Sequence, residues 1–74
     1  MEWKAIIDSK SKVDSAGRID VIFNIFVDDA LEYHSIQINC PAIEMNEVIR
    51  QKMADIKNNF EAAQQINEGS EILL

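Results

Sequence analysis

The chain predicts a small α+β domain: a three-stranded antiparallel β-meander packed against one long C-terminal α-helix, in the order βββα. Two observations carry most of this. Residues 18–27, "RIDVIFNIFV", alternate with a period of two and are rich in the β-branched and aromatic residues that suit a pleated surface. From about Ile43 onward, apolar residues instead recur every three or four positions, which marks one stripe of an amphipathic helix. A third observation sets the topology: the links between apolar segments are too short for the crossover that parallel neighbours require.

The first strand is expected over about residues 2–8, "EWKAIID", with Trp3, Ala5 and Ile7 on one face and Lys4 and Ile6 on the other. The polar stretch "SKSKVDSAG" follows as a long hairpin loop, and Gly17 is free to take the positive φ that closes it. The second strand, about 18–28, places Ile19, Val21, Phe23, Ile25 and Val27 on one face and Ile22 and Phe26 on the other. The first of these faces is apolar throughout, as a surface beneath a helix should be. The second is half apolar, more than a fully solvated face needs.

"DDAL" reads as a turn into a third strand at about 33–39, where His34, Ile36 and Ile38 share one face and Tyr33, Ser35 and Gln37 the other. Pro41 ends the strand and tolerates a helix start. The helix is expected over about 43–67, with Met45, Ile49, Met53, Ile56, Phe60 and Ala63 as its buried stripe and Gly69 as its terminator. At ~1.5 Å per residue it is about 35 Å long, enough to cross one face of the sheet but not both. The segment 70–74 ends in Ile72, Leu73 and Leu74, an apolar tail suited to a short strand, to tucking under the helix end, or to a neighbour.

Composition narrows the classes of function. A domain of 74 residues buries only about 60% of the surface its unfolded chain exposes, so extra stabilisation is useful. One cysteine, Cys40, and one histidine, His34, can build neither an internal disulfide nor a structural zinc site, which leaves a partner subunit as its source. Thirteen acids against seven bases, spread over both halves, give a net charge of −6 that repels nucleic acid and anionic lipid. Apolar runs never exceed three residues, which predicts no membrane span, and "MEWKAII" lacks the apolar core of a secretory leader. The expected location is the cytoplasm, including an assembly built there.

Residues able to do chemistry are few and scattered. Asp28, Asp29 and Glu32 form the densest carboxylate cluster, but adjacent aspartates between strands serve more often as turn formers. His34 alternates with Ile36 and Ile38 and has no nucleophile beside it; Cys40 has no second thiol and reads as packing material. Gly17 and Gly69 belong to no phosphate-binding loop. No enzyme activity and no cofactor is expected. The candidate functional residues are therefore those of an interface: Ile22 and Phe26 on the uncovered sheet face, Tyr33, and the tail residues Ile72, Leu73 and Leu74. The alternative for Ile22 and Phe26 is local cover by the loop 9–17 or by the tail.

The opening "WKAII", the loop leading to "GRIDVIFNIFVDD", the strand "YHSIQIN" and the long helix ending at Gly69 together resemble the small accessory and structural proteins of tailed bacteriophages and prophages. That resemblance implies a non-enzymatic, self-associating role, a homo-oligomer that forms rings or decorates a virion, and assigns no duty to any single residue. The alternative from charge alone is an acidic inhibitor or adaptor acting on a basic protein.

Overall fold

The computed structural model describes residues 1–66, 68–69 and 71–74. Among them the chain forms a three-stranded antiparallel sheet in sequence order and one α-helix lying on one face. The strands are β1, Trp3–Lys10, β2, Arg18–Val27, and β3, Ala30–Pro41. A 3₁₀ turn over Ala42–Glu44 leads into helix α1, Met45–Gln64. The expected helix end at Asn67 and the first tail residue, Ser70, lie outside the described residues.

β2 is the middle strand, and its alternation becomes burial. Ile19, Val21, Phe23, Ile25 and Val27 are all buried, with Phe23 and Ile25 wholly excluded from solvent. Cys40 from β3 and Ile49 from α1 complete this core, and Met45, Val48, Met53 and Ile56 pack onto it from the helix. Burying a side chain of this size contributes about 1.5–3 kcal/mol each. The helical stripe therefore holds the sheet through one face only.

Both outer strands differ from the expectation in length and phase. β1 continues to Lys10, past a register shift between Ile7 and Ser9 that leaves Asp8 as an extra residue. β3 begins at Ala30 and not at 33, because the connection from β2 is a two-residue turn. Asp28 and Asp29 take φ values of 50° and 66°, the left-handed pair of a type I′ hairpin turn that asparagine–glycine usually supplies. Aspartate tolerates this region better than most residues, and here other bonds anchor the turn. The Asp28 carboxylate accepts the Glu2 amide at 2.8 Å, the Asp28 amide donates to the Glu2 carbonyl at 2.9 Å, and Asp29 accepts the Lys4 ammonium at 2.7 Å.

β3 carries two further irregularities against β2, one between Phe23 and Ile25 and one between Ile25 and Phe26. At the first, His34 and Ser35 together oppose Asn24, with Ser35 at φ 58° and its amide donating to the Asn24 side chain at 2.9 Å. An inserted residue reverses the facing of all that follows. This corrects the expected facing of Tyr33. It pairs with Ile25 and packs against the core on the helix side, together with Ile36 and Ile38.

The β1–β2 loop is more ordered than a long polar linker. One Asp14 carboxylate oxygen accepts the amides of Ala16 and Arg18, each at 2.9 Å, and Gly17 closes the turn at φ 79°. The helix begins later than expected: Ile43 belongs to the 3₁₀ turn and is 98% exposed. It also ends at Gln64, before Gly69, although Gly69 does adopt a positive φ of 82°.

Candidate interaction surface

The strand register defines what lies opposite the helix. Because Ile19 and Val21 point into the core, Arg18, Asp20, Ile22, Asn24 and Phe26 occupy the other face of β2. Their register partners extend the surface: Lys4 and Leu31 flank Phe26, Ile6 lies beside Asn24, and Ser9 and Gln37 flank Ile22. Ile6, Ile22, Phe26 and Leu31 thus form an apolar stripe across all three strands. Ile6 is 49% and Leu31 53% exposed, whereas Ile22 and Phe26 are half-buried by their neighbours.

No local segment among the described residues closes over this stripe. The loop after β1 continues along the hairpin, the Ser11 amide donating to the Asp20 carbonyl at 2.9 Å and the Asp14 amide to the Arg18 carbonyl at 2.9 Å. Ile72, Leu73 and Leu74 in the tail are all strongly exposed and cover nothing. Tyr33, by contrast, is stacked on Trp3 at 6.5 Å between ring centroids, on the helix side of the sheet. The structure therefore places Ile22 and Phe26 together on the open face, Tyr33 on the opposite face and the tail apart from both.

Ile6 and Leu31 belong to this face, though neither is among the interface residues the sequence marks. Ile6 carries a signal, since it alternates out of phase with Trp3 and Ala5. Leu31 carries none, because its facing depends on the tight turn and on the irregularity at Ile25.

Polar groups organise the two ends of this face. At the β2 start, Arg18 Nε donates to Asn39 Oδ1 at 2.7 Å and Asn39 Nδ2 donates to Asp20 Oδ1 at 2.8 Å. Beside them lies an open groove of about 550 Å³, lined by Asp20, Val21, Ile22, Gln37, Ile38 and Asn39. At the hairpin end, the Lys4 ammonium sits 6.0 Å from the Phe26 ring centroid and bonds Asp29. Hydrogen bonding from Lys4, followed by its charge, holds the Asp29 carboxyl below the ordinary carboxylate range, and Asp29 raises Lys4 in return.

The residues considered for chemistry are dispersed. His34 is exposed at the bulge, Cys40 is buried in the core, and Asp28 and Asp29 are engaged with Glu2 and Lys4. Among the described residues no three His, Cys, Asp or Glu side chains are grouped to hold a metal ion, and no helix is long and apolar enough to cross a membrane. Comparison of the chain with protein-family models, with curated proteins and with solved structures yields no match.

Proposed function

We propose that the protein is a non-enzymatic, self-associating structural or assembly protein whose open sheet face is its contact surface. The observation that carries this reading is the apolar stripe Ile6, Ile22, Phe26 and Leu31, which the helix leaves uncovered. A face of this kind on so small a domain is a site where a partner supplies the burial the chain cannot provide for itself. The sheet edges support the same direction. Irregularities in both outer strands disfavour edge-to-edge strand pairing, which leaves the face for association. A role in a phage-type assembly rests on the sequence resemblance alone.

Light scattering coupled to size exclusion, over a range of protein and salt concentrations, tests this. An apolar contact between chains of net charge −6 should persist or strengthen as salt screens their repulsion. A monomer of 8.4 kDa at all concentrations would overturn self-association.

One observation favours a second reading, an acidic module for a basic protein. Glu2, Asp28, Asp29 and Glu32 gather at the hairpin end with Lys4 as the nearby cation. Binding of a basic partner there should weaken steeply with salt.

A further inference from the structure

We infer that the occupant of the open face is a second copy of the chain, stacked face to face about a two-fold axis that crosses the strands near Ile22, so that the two β2 strands run antiparallel. This rests on the self-association proposed above and adds its geometry.

Charge selects the occupant and the direction. On the open face Lys4 and Arg18 stand against Asp20 and the Asp29 carboxylate that Lys4 holds at 2.7 Å, so this surface is near neutral although the chain as a whole is at −6. It offers little to attract a basic partner and little to repel a copy. The hairpin end carries four acids against one lysine: Glu2, Asp28, Asp29 and Glu32 with Lys4. The opposite end is near balance, with Lys10, Lys12 and Arg18 against Asp8, Asp14, Asp20 and Glu44. Parallel stacking would set two acidic ends against each other. Antiparallel stacking sets each against a nearly balanced end.

The same axis matches the rows of β2. Ile22 meets its own equivalent, Asp20 lies over the copy's Asn24, and Arg18 lies over the ring of the copy's Phe26, a cation–π arrangement. On β3, Leu31 lies over the copy's Pro41. With strands ~4.8 Å apart and ten residues rising ~3.4 Å each, the face offers roughly 500 Å² per copy. The pair then buries about 1,000 Å², the lower bound for a specific interface, so the dimer should dissociate measurably on dilution.

Sedimentation equilibrium of the full chain, with variants, decides the matter. The expected result is a monomer–dimer equilibrium that Phe26→Ser weakens by about thirtyfold or more, as loss of an anchoring aromatic does. Leu31→Ser should weaken it in the same direction from a half-exposed position that the monomer fold does not depend on, and Arg50→Ala on the helix should leave it unchanged. Treated with a short bis-maleimide, Ile22→Cys should cross-link across the ~10 Å between stacked sheets, whereas Asp20→Cys, displaced a further ~13 Å from its equivalent by four residues of strand rise, should not. Efficient linking of Asp20→Cys would overturn the antiparallel direction, which alone keeps that position off its equivalent. A dimer indifferent to both Phe26→Ser and Leu31→Ser, or an open series of larger oligomers, would overturn this geometry while self-association stands. A monomer at every concentration would end both.

Discussion

Lys4 and Phe26 face each other across the first two strands, the ammonium 6.0 Å from the ring centroid while it also donates to Asp29 at 2.7 Å. One side chain therefore ties the hairpin turn to the strand beside it and partly roofs the largest apolar group of the open face. The turn has need of such a tie, because two successive non-glycine residues hold left-handed φ there.

The pH dependence of stability should show this tie. Asp29 has a lowered carboxyl pKa in the fold, so its contribution is complete above the ordinary value of 3.8 and is lost as pH falls through the lower, folded value. Lys4 is raised, so its share is complete below 10.5 and is lost as pH rises through the higher, folded value. Between these limits the contribution is flat. Asp29→Asn should shallow the acid limb of a plot of unfolding free energy against pH; an unchanged limb would mean the pair contributes nothing.

Turn strain gives a second expectation. Asp29→Gly removes the left-handed cost of about 1–2 kcal/mol and loses only a solvent-exposed ion pair with Lys4, a weak contributor to stability. Urea unfolding should show the variant as stable as the parent or more so. Marked destabilisation would show that the Lys4 bond outweighs the strain.

The two faces of β2 should respond very differently to truncation. Phe23→Ala should cost about 3–5 kcal/mol, as much as the whole stability of a domain this size, and circular dichroism should find it unfolded. Phe26→Ser should cost about 1–2 kcal/mol in the monomer and leave the fold intact. Equal losses would mean that the open face is part of the folding core.

Trp3 poses a separate test. Its ring meets Phe60 edge-on at 5.3 Å and stacks on Tyr33, yet its buried Nε1 donor has no partner among the described residues. An unsatisfied buried donor costs about 1–3 kcal/mol, so Trp3→Phe should lie within about 1 kcal/mol of the parent, the lost ring area offsetting the relieved donor. Trp3→Ala should lose about 3–5 kcal/mol. If phenylalanine is as damaging as alanine, the donor is satisfied in solution.

What could be foreseen follows from where the chain keeps a strict period. Ile19 to Val27 alternate without interruption, and Met45 to Phe60 keep helical spacing, so both elements and the face each buries are legible in the residues. The outer strands break period at Asp8, at His34 and Ser35, and near Glu32, and none of these positions holds the glycine that would signal an irregularity. Hence the alternation points Tyr33 to the wrong face. The apolar stripe overruns the helix end for a different reason: its last position, Ala63, buries too little to hold another turn on the sheet, and it stays exposed.

The chain's one tryptophan lies at the seam where the far end of the helix meets the sheet, in contact with Phe60 and Tyr33 and on the side away from the open face. Its fluorescence is thus an internal gauge of helix docking alone. Emission should shift when α1 lifts from the sheet and stay constant when copies join or part. Folding and assembly, which in a small oligomer usually melt into one signal, become separately visible without any added label.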